Sequence, residues 1–173
     1  KVDVLERPVP ISSIKDIKGF FGYRMEVNRN YLKDFPIDKY VDFVVQRQHT
    51  AWDWTKAEQH GKWIESAYLS GIQRNDKALL DKARTMLKRI VDSQEESGYV
   101  GATSKDYRSD ERPVRGMDAY ELYFVFHAFI TVYEETGDKA SLAAAEKLAD
   151  YYLKYFGPGK LEFWPSDLRD PEN

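Results

Sequence analysis

The chain has 173 residues, a formal net charge of −3, 14% aromatic residues and no cysteine, which is long enough for a domain with a real core. Charges of both signs are spread along it, leaving no basic stripe for nucleic acid and no polybasic patch for a membrane surface. No apolar run approaches the roughly 18 residues of a membrane span, and the lack of cysteine excludes disulfides, thiolate catalysis and cysteine-ligated metal within these residues.

In chain order, residues 1–18 place Val2, Val4, Leu5, Val9, Ile11, Ile14 and Ile17 around Pro8 and Pro10. That weak alternation predicts an extended arm able to add a short strand. Phe20 to Phe35 reads as a helix with a basic, Asn-rich face, ended by Pro36 because proline cannot continue the backbone hydrogen bonding. A short helix over Asp38 to Gln46 follows, and the loop from Gln48 to Asp53 brings Trp52 and Trp54 to the entrance of the next helix.

Two stretches then share one plan, from about Trp54 to Gln94 and from about Met117 to Phe156. Each is a broadly apolar helix, a tight Asn-Asp-Lys-Ala or Gly-Asp-Lys-Ala turn, and an amphipathic helix. Asp76 and Asp138 occupy the same place in the two turns, an offset of 138 − 76 = 62 residues. Ala119, Leu122, Val125, Phe126, Ala128, Phe129, Ile130 and Val132, with Tyr120, Tyr123 and Phe124 among them, leave the first helix of the second unit almost no polar face. A helix of that kind is covered all round, so Tyr123, Phe126 and Ile130 are predicted to be deeply buried. Its partner carries Leu142, Ala145, Leu148, Ala149, Tyr152, Leu153 and Phe156 at three- and four-residue steps, with Lys147 and Lys154 facing water. The first unit repeats the contrast, and Gly157-Pro158-Gly159 stops the last helix.

Inner helix followed by outer helix, twice, predicts an all-α fold: an arc of an (α/α)6 toroid built of helical hairpins that bury a shared core. A closed ring of six hairpins needs roughly 200–300 residues at ordinary helix and loop lengths. The chain is therefore read as the N-terminal portion of a larger barrel, with residues 1–18 as the arm and 19–173 as its first hairpins. Between the two units, Ser97 to Gly101 forms a turn whose Tyr99 either covers the hairpin or points at a pocket. The polar stretch from Thr103 to Gly116 is either a solvated connection or a rim over a site.

In such a toroid the starts of the inner helices open onto one face, where Trp52, Glu58, Gln59, Tyr120 and His127 would line a pocket. Aromatic rings stack on the apolar faces of sugars, and a few carboxylate, amide and imidazole groups orient the hydroxyls. Trp63 and Phe124 are assigned to the core, where aromatics at helical spacing usually sit. His127, in an otherwise apolar helix, is either a satisfied core histidine or a group facing ligand. Since 127 − 62 = 65, Glu65 holds the equivalent place in the first inner helix, as a lumen group or as a partner of Lys62 or of a neighbouring helix. His60 and His49 lack further ligands at metal-binding spacing. No Gly-x-Ser-x-Gly, His-Glu-x-x-His, phosphate-loop or dinucleotide fingerprint occurs.

Several strings, in order, carry a resemblance: His60-Gly61-Lys62-Trp63-Ile64-Glu65-Ser66-Ala67, Ser93-Gln94-Glu95 running into Gly98-Tyr99-Val100-Gly101, Tyr120-Glu121-Leu122-Tyr123 with His127, and Glu135-Thr136-Gly137-Asp138. With Asn28-Arg29-Asn30 upstream, the chain resembles the N-terminal part of the β-L-arabinofuranosidase family, glycoside hydrolase family 127. The resemblance implies a secreted or periplasmic bacterial glycosidase that acts on a carbohydrate substrate, with its active site in an (α/α)6 barrel. It also implies a cysteine nucleophile, an acid/base glutamate and a zinc ion held by cysteines and a glutamate. All of these lie downstream of the matched region, so no cofactor is expected in this portion and zinc is expected only in the parent.

On this reading the substrate contacts of this portion are His127, Trp52, Glu58, Gln59, Tyr120 and Glu65, none of them catalytic. Many relatives place Glu-His-Ala before Gly-Lys-Trp, whereas this chain has Glu58, Gln59 and His60, so a histidine contact does not carry over to Gln59. The partners are the rest of the chain's own barrel and, as an open alternative, further copies in a homo-oligomer. Two other readings stay open. One is a different α/α-toroid carbohydrate enzyme, of the unsaturated glucuronyl hydrolase or sugar epimerase type. The other is a non-enzymatic helical-repeat scaffold.

Overall fold

A computed structural model describes residues 9–47, 58–114 and 118–161. Among the described residues there are six α-helices: α1 (Gly19–Asp34), α2 (Ile37–Val45), α3 (Gln59–Arg74), α4 (Lys77–Asp92), α5 (Asp118–Thr136) and α6 (Lys139–Tyr155). The predicted strand of the arm does not form among them. Residues 9–18 hold a single 3-10 turn, Ile11–Ser13, which packs against α3. Pro10, just before the turn, cannot donate to a ladder.

The helix boundaries follow local chemistry. α1 stops before Pro36, and its last carbonyls find partners from other helices: Lys82 Nζ donates to Lys33 O (2.7 Å) and Phe35 O (3.0 Å), and Trp63 Nε1 donates to Leu32 O (3.0 Å). α2 turns Ile37, Val41, Phe43 and Val44 inward, and Arg89 of α4 ties its outer side to Asp38 and Asp42.

The two hairpin turns are built alike. Asn75 (φ 52°) and Gly137 (φ 74°), again 62 residues apart, each take the left-handed conformation that ends a helix, which asparagine and glycine tolerate best. The next residue caps the following helix. Asp76 accepts from the Leu79 amide at 3.2 Å, and Asp138 accepts from the Ser141 amide at 3.1 Å.

α3 is the hub, packing on α1, α2, α4 and most extensively on α5. Gly61 makes that closeness possible. A Cβ there would lie 2.5 Å from the carbonyl of Phe124 and 2.8 Å from the Val125 nitrogen, so the helices touch backbone to backbone. One continuous core joins Ile64, Ala67, Leu79, Ile90, Tyr99, Leu122, Phe129 and Leu148.

The inner helix α5 is not covered all round. Leu122, Val125, Ala128, Phe129 and Val132 are buried against α3 and α6, but Tyr123, expected in the core, is 56% exposed. Phe126 and Ile130 are half-buried rather than deep. Composition cannot tell these positions apart. The reason is the helix's neighbours: α3 and α6 cover two flanks, and the third, which carries Tyr120, Tyr123 and His127 at i, i+3 and i+7, is not covered by another helix packed closely on it among the described residues. Lys147 and Lys154 are exposed, as expected for an outer helix.

Candidate functional site

The free flank of α5 and the adjoining face of α3 form one strip. The close approach at Gly61 sets it, because it brings residues of the two inner helices within side-chain reach. Along α3 the strip runs through Glu58, Lys62 and Glu65, and along α5 through Tyr120, Tyr123, Phe124, His127 and Thr131. Lys62 Nζ sits 2.7 Å from Glu58 Oε2 and lies over the Phe124 ring, 4.3 Å from its centre, with the Tyr120 ring at 5.8 Å. A cation over a ring face is attracted by the ring quadrupole, so the lysine joins the acidic and aromatic halves. Tyr120 and Tyr123 meet Phe124 edge to face at 5.1 and 5.2 Å, and Tyr123 lies 5.5 Å from the His127 ring.

At the far end, His127 Nδ1 is 2.9 Å from Glu65 Oε1, and the Thr131 hydroxyl donates to the same oxygen at 3.1 Å. The residues that the 62-residue offset equates are therefore direct partners. Of the two alternatives the sequence offered for Glu65, the neighbouring helix supplies its partners, and Lys62 does not because Glu58 takes it one turn earlier. Gln59 joins the strip through its amide, which donates to Glu58 Oε1 at 3.2 Å.

Of the residues singled out from sequence, Glu58, Gln59, Glu65, Tyr120 and His127 thus fall on connected faces of α3 and α5, while Trp52 and His49 lie outside the described residues. Lys62, Tyr123 and Thr131 were missed as site residues. Their signal was available: Tyr123 is three residues after Tyr120 and four before His127, and Thr131 is four after it, all on one helical face. Trp63 is core as expected. Phe124 is only partly so, since the cation of Lys62 covers its face.

The polar connection is solvated over much of its described length, with Lys105, Asp106, Tyr107, Ser109, Asp110 and Glu111 exposed, but Thr103 and Arg108 pin it to the buried Tyr99. Tyr99 is fully buried, its hydroxyl donating to the Asp118 carboxylate at 3.0 Å and accepting from the Thr103 amide at 3.1 Å. Burial, reinforced by the Asp118 charge, raises the Tyr99 phenol well above its ordinary value and keeps it a donor. The Arg108 guanidinium stacks on the Tyr99 ring at 3.6 Å, with its side chain only 6% exposed, and bridges to Glu95, which also holds Arg47 Nε at 2.9 Å. Burial alone would raise the Glu95 carboxyl, but the two guanidiniums hold it below the ordinary range. This network anchors the start of α5 through Asp118, and so fixes where the strip begins. Asp118 is the first residue of α5 and its buried carboxylate reads as helix-terminal chemistry from sequence alone, which is why its tie to Tyr99 went unforeseen.

No group of three or more His, Cys, Asp or Glu side chains able to hold a metal ion occurs among the described residues. With no cysteine in the chain and no such cluster, the described residues do not fit a zinc ion.

Paired inner and outer helices with a polar, aromatic face on the inner pair define an α/α-toroid type of domain. The sequence matches the family model described as the β-L-arabinofuranosidase GH127 catalytic domain over residues 13–164. The chain belongs to that family. Its fold is similar to the solved structure titled "The GH127, Beta-arabinofuranosidase, BT3674", with a TM-score of 0.71 at 22% identity over 91% of this chain. The chain spans only 29% of that structure's length, and at this identity the likeness is one of fold. No curated protein matches the sequence significantly.

Proposed function

We propose that this chain is the part of a glycoside hydrolase of the β-L-arabinofuranosidase type that supplies barrel wall and substrate contacts, while the reacting groups, and any zinc they need, lie elsewhere in the protein. Family membership supports the reaction class. The observation that carries the site is the strip itself, in which the exposed imidazole of His127 and rings of Tyr120 and Tyr123 share one face of the inner helices with the Lys62 ammonium, the partly buried Glu65 and the buried Glu58. Such a set suits a sugar: the rings of Tyr120 and Tyr123 offer stacking surface, Lys62 and His127 offer hydrogen bonds to hydroxyls, and Glu58 holds Lys62 in place. Family membership favours this reading over a helical scaffold for a protein partner, and nothing favours an epimerase or a glucuronyl hydrolase.

His127 contacts a sugar hydroxyl rather than moving a proton. Replacing it by alanine in the full-length protein should weaken transition-state binding by about 1–3 kcal/mol, the range for loss of a polar partner. That corresponds to a fall in kcat/KM on an arabinofuranoside of roughly 5- to 150-fold. Unchanged kinetics in a folded variant would refute the site.

A further inference from the structure

The Glu65, His127 and Thr131 cluster says more than that a histidine lies on the strip. Two donors converge on one carboxylate oxygen, the His127 ring at 2.9 Å and the Thr131 hydroxyl at 3.1 Å. An ionised carboxylate only accepts, so in a neutral ring the proton must sit on Nδ1. Which ring nitrogen carries the proton is set by the bond the other one makes, and a carboxylate on Nδ1 is a strong determinant. Nε2, on the opposite edge of a side chain that is 52% exposed, has no partner among the described residues. Thr131, held one turn along α5, keeps Glu65 from swinging away, and the backbone contact at Gly61 holds the two helices at the spacing the bond requires.

We propose that Glu65 is a positioning residue that holds His127 as its Nδ1–H tautomer and so presents Nε2 to the site as a hydrogen-bond acceptor. This rests on the reading of the strip as a sugar site and deepens it: the hydroxyl that His127 reads must donate, and an ether or ester oxygen at that position cannot satisfy it. Lys62, on the same strip, can only donate, so the two groups read opposite ends of the hydrogen-bonding repertoire of a sugar.

The tautomer can be read without substrate, from long-range proton–nitrogen NMR spectra of the imidazole in the full-length protein, under conditions where the spectrum itself shows a single ring proton. The expected result is Nδ1–H in the native protein and a shift to Nε2–H in Glu65→Leu, with Glu65→Gln as the isosteric check on folding. An Nε2–H ring in the native protein, or an unchanged tautomer in Glu65→Leu, overturns the proposal. Kinetics give the second arm. Glu65→Leu should lower kcat/KM roughly 10-fold in the native background and less than about 2-fold in His127→Ala, because residues that act through each other are not additive. Equal falls in both backgrounds would mean that Glu65 acts independently of His127. If His127→Ala alone leaves kcat/KM unchanged, the sugar site fails, and the NMR result still decides the role of Glu65.

Discussion

His60 and Asp76 show what single side chains contribute here. His60, on the first turn of α3, is 1% exposed, and neither ring nitrogen has a hydrogen-bond partner among the described residues. Burial disfavours its charged form and pushes the pKa from 6.5 down to about 3. Unfolded chains then bind a proton that the native state refuses, so this stability is complete above about pH 6.5 and declines as the pH falls toward 3. Between pH 7 and pH 5 the loss should be about 2 kcal/mol, a figure that hardly changes for any folded pKa below about 4. Urea midpoints at the two pH values test it, and His60→Leu should flatten the difference; an equal slope in the variant would assign it elsewhere.

Asp76 has the opposite dependence on partners, since charge rather than burial dominates. A hydrogen bond from Lys33, whose Nζ lies 2.5 Å away, holds its carboxyl below the usual range, with the Leu79 amide and Arg29 adding to the effect. That contribution is present above the ordinary value of 3.8 and is lost as the pH falls through the lowered one. Removing either turn aspartate costs a cap, about 1 kcal/mol. Asp76→Ala should cost more than Asp138→Ala, because only Asp76 also holds Lys33 and Arg29. Denaturation midpoints that rank the other way would show that the ion pairs of Asp76 contribute less than the hydrogen bond Asp138 also accepts from the buried Ser141 hydroxyl.

At the scale of elements, the contact between α3 and α5 decides the architecture of the strip. By intrinsic propensity, Gly61→Ala would stabilise α3 by about 1 kcal/mol. The added methyl, however, would meet the backbone of Phe124 and Val125, which cannot rotate away as a side chain does. The helices must part, and overpacking of this kind costs about 1–3 kcal/mol. The net outcome expected in thermal melts is destabilisation, together with a weaker His127–Glu65 hydrogen bond. A more stable variant would show that α3 and α5 do not approach so closely. Gly98, with φ +100° and the Lys147 carbonyl 2.2 Å from any added Cβ, plays a similar role between the Tyr99 turn and α6.

For the whole molecule, the strip is a half-open surface. Glu58 is engaged by Lys62, and Glu65 by His127 and Thr131, so neither carboxylate is left to act across a glycosidic bond with a second group. Glycoside hydrolysis needs such a pair. The purified 173-residue chain should therefore hydrolyse no arabinofuranoside in an aryl-glycoside assay. Turnover that disappears on Glu58→Gln or Glu65→Gln would move the reaction into these helices.

Much of this was written in the sequence, because it depends on local chemistry. Helix periods, the stop at Pro36, the left-handed residues 75 and 137 and the aspartate caps after them each arise within a few residues of chain. The 62-residue repeat equated Glu65 with His127 without pairing them, and they meet because equivalent positions on neighbouring inner helices lie at the same height. What tertiary structure alone decided is which face of a uniformly apolar helix is covered. Tyr123 and Phe129 are both large aromatics on α5, yet one is mostly exposed and the other fully buried, because exposure depends on which helices stand beside α5 and not on its own composition. The same holds for Arg108, whose charge reads as solvated until the chain folds back to place it against Tyr99 and Glu95 of the preceding turn.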